Sequence, residues 1–109
     1  MKLNILDIGG EVVKDDERYV VKDNDVLNNL DVSSTDLKPG KSTSGHIHPG
    51  QEEVYNFVKG EGKMKVDEDV FPVKEGDVIL IEDGKFHQVI NDSKKNLYFV
   101  CVFDGSRSH

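Results

Sequence analysis

Gly40-Lys41-Ser42-Thr43-Ser44-Gly45-His46-Ile47-His48-Pro49-Gly50-Gln51-Glu52-Glu53-Val54-Tyr55-Asn56-Phe57-Val58-Lys59-Gly60 is the stretch on which the reading of this chain turns. Two of its histidines stand at i and i+2, so in an extended strand both imidazoles leave the same face. Glu53 opens a second alternating segment, with Glu53, Tyr55 and Phe57 on one side and Val54, Asn56 and Val58 on the other. Far downstream lies a third imidazole, His87. Three nitrogens and one oxygen converging from separate strands make a donor set suited to one borderline divalent ion: Fe, Mn, Ni, Zn or Cu. Glu52 is the rival carboxylate. The alternation that joins Glu53 to Tyr55 favours Glu53 and leaves Glu52 to solvent.

Outward from this stretch, turn signals recur about every ten residues. They include Gly9-Gly10, Pro39-Gly40, Pro49-Gly50, Gly60-Glu61-Gly62, Glu75-Gly76-Asp77 and Asp83-Gly84. Between them lie short runs rich in Val, Ile, Phe and Tyr, and no long stretch carries an apolar stripe at helical spacing. The pattern predicts an all-β sandwich or barrel. The expected strands are 18–22, 32–37, 42–48, 53–59, 62–66, 70–73, 78–81, 87–91 and 97–103. Residues 26–30 fit either one turn of helix or part of a strand. Alternation puts Ser44 on the face of His46 and His48, and Val89 on the face of His87. The implied cavity is a polar centre in an apolar and aromatic wall, a usual composition for a small-molecule site.

With 109 residues, one domain is expected, spanning 1–104. Gly105-Ser106-Arg107-Ser108-His109 reads as an expression-tag remnant, so His109 is set aside as a ligand. The net charge of −7 comes without a basic patch and argues against nucleic-acid binding. The longest apolar run, Val78-Ile79-Leu80-Ile81, is too short to span a bilayer as a helix. With no signal pattern at Met1-Lys2-Leu3, the cytoplasm is the expected location. Cys101 is the one cysteine and sits in an apolar run, where it reads as a small buried hydrophobe. Lys41 and Lys85 flank the two histidine segments as exposed lysines.

The stretch from Gly40 through His46, His48 and Glu53 to Gly60 resembles the first motif of the cupin superfamily. There Gly, five residues, His-x-His, a short gap, Glu, six residues and Gly follow in order, and the spacing fits throughout. Gly76, Gly84, His87 and Asn91 resemble the second motif, apart from Glu82 where Pro is usual. The match covers about half of the chain. It implies a small single-domain cupin, a jelly-roll or double-stranded β-helix barrel. It also implies that His46, His48, Glu53 and His87 bind one divalent metal. Gly60, Gly62, Gly76 and Gly84 are then expected to supply positive-φ turns.

Two functions follow from that implication. One is a metal-dependent enzyme of isomerase or dioxygenase type, taking a small oxygenated substrate at an open metal position, with Tyr55 as the candidate catalytic or hydrogen-bonding residue. The other is a non-catalytic, metal-containing module that binds a sugar or carboxylate. A homodimer is expected in either case, with Val54, Val58 and Phe99 read as outer-face residues to be covered.

Overall fold

Nine antiparallel strands build two sheets in this computed structural model, which describes residues 1–105. The rest of the proposed tag, residues 106–109, lies outside the described residues. In chain order the strands are β1 (Glu11–Asp15), β2 (Tyr19–Asn24), β3 (Leu30–Leu37), β4 (Glu53–Lys59) and β5 (Glu61–Val66). They continue with β6 (Asp69–Lys74), β7 (Val78–Ile81), β8 (His87–Ile90) and β9 (Leu97–Asp104). A six-stranded sheet runs β1-β2-β3-β9-β4-β7, and a three-stranded sheet runs β6-β5-β8. No helix is present among the described residues.

The chain folds this way because its strands alternate. Glu53, Tyr55 and Phe57 of β4 are buried while Val54, Asn56 and Val58 are only half covered. Leu37, Phe57, Met64, Val73, Val89, Leu97 and Phe99 fill the interior, each no more than 2% exposed. Burying side chains of this size stabilises the fold by roughly 1.5–3 kcal/mol each. Gly60 has a φ of 90°, and a Cβ there would stand 2.5 Å from the Asn96 carbonyl oxygen, so only glycine fits this crossing. Asn91 is wholly buried and donates to the carbonyls of Leu37, Lys38 and Lys95. It ties three loop segments together through one amide.

Several expectations need correction. Residues 42–48 do not form a continuous strand; they touch β8 through isolated bridges at Ser42–Ile90 and His46–His87. Four steps along this segment oppose three along β8, so one extra residue is inserted. Such an insertion is a bulge, and it breaks the alternation. The Ser44 hydroxyl is exposed and accepts a hydrogen bond from Arg18 at 2.9 Å. Gly45 lies within this interval, and a Cβ there would collide with the Phe86 ring.

The edge strand β1 was not expected. All five of its residues are exposed, so it carries no buried face to give it away. Residues 25–29 form neither helix nor strand. Gly62 has no positive φ. It is required instead by close approach, since a Cβ would lie 2.6 Å from the Ile90 carbonyl oxygen. Phe99 is not an outer-face residue. It pairs with Phe57 across the β4–β9 ladder and is 2% exposed, on the inner side.

Candidate metal centre

β8 delivers His87 into the interior, 2% exposed, at the end of β8 next to the 42–48 segment. The two backbones exchange hydrogen bonds there: His46 N–H donates to the His87 carbonyl at 3.1 Å, and His87 N–H donates to the His46 carbonyl at 3.0 Å. The pairing fixes His46 relative to His87. His48 follows two residues later, before the Pro49-Gly50 turn, where Gly50 N–H donates to Asp83 and Gln51 N–H donates to the His48 carbonyl. Glu53 opens β4, 8% exposed, paired in register with Phe103 and Ile81. Glu52, its neighbour, is exposed.

His48, Glu53 and His87 each bring one ligand atom to within 4.8 Å of the others. A first-row ion with bonds of about 2.0–2.2 Å holds neighbouring ligands roughly 3–3.5 Å apart, so a small inward rotation of these side chains would complete the site. The His46 ring stands beside the cluster, its centroid 5.2 Å from that of His48 and 6.0 Å from that of His87. His46 is exposed, at the rim, and is not among the three closest groups.

The state of His87 decides what this cluster can hold. Nδ1 lies 3.1 Å from the Lys85 carbonyl oxygen. A carbonyl only accepts, so Nδ1 carries a proton and donates to it, which leaves Nε2 directed at Glu53. Nε2 is buried without a hydrogen-bond partner and lies 3.6 Å from Glu53 Oε2. A ring nitrogen and a carboxylate oxygen this close in a dry site call for a cation between them, a proton or a metal ion. The donor set and this orphaned nitrogen both fit a divalent ion. An imidazole oriented by a backbone carbonyl is also the usual outer support of a metal-bound histidine.

Tyr55 lies one alternation beyond Glu53 on the same face, 8% exposed, with its ring edge-on to His87 at 5.8 Å. Burial raises its phenol well above the ordinary value, reinforced by the charges and hydrogen bonds of Cys101 and Glu53. Burial likewise raises the Cys101 thiol, and the Glu53 charge adds to the effect. Lys85 does not face the site as a free cation: it pairs with Asp67 at 3.2 Å. A cleft of about 480 Å³ lies on the outer side of the β4–β9 pair, lined by Glu52, Glu53, Asp83 and Asp104 together with Leu30, Val54, Val102 and Phe103, and none of the three histidines lines it. Its acidic rim attracts cations and repels anionic ligands. Gln51 is the residue that motif spacing did not single out. It is 3% exposed and donates to the Asp104 carbonyl at 2.9 Å, anchoring the loop between His48 and Glu53 to the end of β9.

Comparison with known proteins bears on this arrangement. The Cupin domain family model matches residues 33–103. An oxalate-binding protein from Thermotoga maritima is 35% identical over 66 residues, covering 61% of this chain and 54% of that protein. The match thus spans about half the length of that relative. A solved structure described as a predicted oxalate decarboxylase from Thermotoga maritima superposes with a TM-score of 0.75 at 25% identity. It covers 95% of this chain and 98% of its own. A protein with a double-stranded β-helix domain from Klebsiella pneumoniae gives a TM-score of 0.80 at 20% identity, covering 90% and 86%.

Proposed function

Because the chain belongs to the cupin family, we propose that it is a metal-dependent protein acting on a small oxygenated substrate. His46, His48, Glu53 and His87 are its ligands to one divalent ion, and small carboxylates of the oxalate type are its substrate class. The single observation that carries this reading is the convergence of ligand atoms of His48, Glu53 and His87 to within 4.8 Å of one another. When bound, such an ion supplies Lewis-acid polarisation of a substrate oxygen.

The chain's own residues do the rest. Lys85 holds the His87 tautomer through its carbonyl. His46, at the rim, completes the ligand set on the solvent side, where a small molecule enters. Tyr55, Phe57 and Phe99 form the wall beneath and exclude water from the inner side of Glu53. The net charge of −7 makes anion binding depend on the ion, since protein charge alone repels a carboxylate.

A second reading is a non-catalytic carboxylate-binding module, and the oxalate-binding protein similar over 66 residues favours it. One experiment separates the two. Protein loaded in turn with Mn, Fe, Ni and Zn is titrated with oxalate in a calorimeter and assayed for carbon dioxide and formate. Metal-dependent binding with turnover supports the enzyme, and metal-dependent binding without turnover supports the module. No binding with any metal removes both.

We also read the protein as a cytoplasmic homodimer. The single buried thiol needs no oxidising compartment. Val78 and Leu80 of edge strand β7, 57% and 72% exposed, offer an apolar outer face beside Val54 and Val102 for a second copy. A monomer by light scattering at micromolar concentration removes that reading.

A further inference from the structure

The tip of the β5–β6 hairpin reaches the residues that precede His87, and the functional reading leaves it unused. Asp67 stands there as the only non-glycine residue with positive φ among the described residues, at 51°. Aspartate tolerates that left-handed backbone better than most side chains. Its hydrogen bonds run to Lys85 and Phe86. Asp67 N–H donates to the Phe86 carbonyl at 2.9 Å, one step past the Val66–His87 pair that ends the β5–β8 ladder. One carboxylate oxygen, Oδ1, accepts the Phe86 N–H at 3.0 Å, and the other, Oδ2, pairs with Lys85 Nζ at 3.2 Å. The Phe86 N–H, with Lys85 adding to it, holds the Asp67 carboxyl below its ordinary value.

The Phe86 N–H and the Lys85 carbonyl belong to one peptide unit. The peptide is trans, so the two groups point in opposite directions. Asp67 Oδ1 takes the N–H on one side, and His87 Nδ1, 3.1 Å from the carbonyl oxygen, donates on the other. A turn of this peptide plane breaks both bonds at once. The carboxylate also polarises the peptide, which makes the carbonyl a better acceptor for the ring. The half-exposed Lys85–Asp67 ion pair contributes little by itself. Phe86 has a second anchor, since its ring lies against Gly45, just before His46.

We infer that Asp67, on a separate hairpin, is a positioning residue for the proposed ligand His87 and acts through the Lys85–Phe86 peptide. Its carboxylate fixes the peptide plane, the plane fixes the Lys85 carbonyl, and the carbonyl fixes the imidazole with Nε2 turned to Glu53. The inference rests on the reading of His87 as a ligand, but its first test does not.

Two variants separate this clamp from backbone strain. Asp67→Asn keeps a side-chain acceptor and tolerates a positive φ. Asp67→Gly is at ease at that φ but has no acceptor, so a loss in it does not come from strain. The first test needs no metal. The His87 Nδ1–H is held to a carbonyl in a buried site, and proton NMR of protein labelled at its histidine nitrogens shows it as a slowly exchanging ring resonance. The resonance persists in Asp67→Asn and is lost to solvent exchange in Asp67→Gly. Its absence from the wild type, its persistence in Asp67→Gly or its loss from Asp67→Asn overturns the link.

The second test is zinc affinity by competition with a chromophoric chelator. Asp67→Gly binds zinc about tenfold more weakly, the lower end of the cost of losing an outer partner of a ligand, at unchanged stoichiometry. Asp67→Asn recovers the wild-type affinity. Equal affinities for wild type and Asp67→Gly, or for Asp67→Gly and Asp67→Asn, overturn the positioning role. If wild-type protein takes up no zinc, the metal reading fails while the ring resonance still decides whether Asp67 orients His87.

Discussion

Replacing His48 by Ala removes one of the three closest candidate ligands while disturbing the core little, because His48 is only half buried and precedes an exposed turn. Losing a ligand costs metal affinity at least tenfold, the scale on which even outer partners act. A metal at 100 times its dissociation constant stabilises the native state by about 2.7 kcal/mol. At that same free concentration a tenfold weaker variant gains RT ln 11, about 1.4 kcal/mol. A domain of this size shifts its midpoint by about 4 °C per kcal/mol. The wild type should therefore gain about 11 °C on metal addition and His48→Ala about 6 °C or less. Differential scanning calorimetry with and without metal reads the two shifts, and elemental analysis reads the stoichiometry. Glu52→Gln is the control: Glu52 is exposed, and its variant should match the wild type in both. An equal metal-induced shift in His48→Ala and wild type would refute the reasoning.

Three further outcomes follow from the fold. Asn91→Leu strips a shared donor from three carbonyls and should lower stability by at least about 2 kcal/mol in urea denaturation; a loss below about 0.5 kcal/mol would contradict the clamp. Gly60→Ala adds a Cβ 2.5 Å from a backbone oxygen at a φ of 90° and should cost more than Gly84→Ala, where nothing lies within 4 Å. Equal midpoints for the two variants would show that the crossing at Gly60 relaxes freely. The Asp16 carboxyl, hydrogen-bonded by the Arg18 side chain and backbone N–H, is held at about 2, below the ordinary 3.8. A depressed carboxylate contributes stability above its unfolded value, and that contribution is lost as pH falls through the folded one. The stability difference between wild type and Asp16→Asn should thus shrink between about pH 4 and pH 2. A difference that stays constant over that window, or a carboxyl NMR titration centred near 3.8, would contradict the pairing.

The sequence disclosed most where one face of a strand is buried. β4 and β7 were read to the residue, because Glu53-Val54-Tyr55-Asn56-Phe57 alternates cleanly and Val78–Ile81 is bounded by turn residues. β1 was invisible for the opposite reason: five exposed residues leave no periodic imprint. The 42–48 segment misled because alternation was assumed to run through it, whereas one residue is inserted between Ser42 and His46 relative to β8. Thr43 also replaces a backbone acceptor there, its Oγ1 receiving the Val89 N–H. The candidate site was legible in kind, since His48, Glu53 and His87 do come together. Their geometry was not: motif spacing could not tell that His46 would stand exposed at the rim or that His87 Nδ1 would be committed to Lys85. The first depends on the His46–His87 backbone pairing between segments about 40 residues apart, and the second on the turn that brings the Lys85 carbonyl back to the ring, neither of which motif spacing encodes.

The central claim is that three imidazoles and one carboxylate grip a single cation inside the barrel. An anomalous difference map from crystals grown with Mn or Zn tests it most directly. The account predicts one strong peak about 2.0–2.3 Å from nitrogen atoms of His46, His48 and His87 and an oxygen of Glu53. A featureless map at that position, or a peak held by Glu52, Asp83 and Asp104 in the neighbouring cleft, would contradict it.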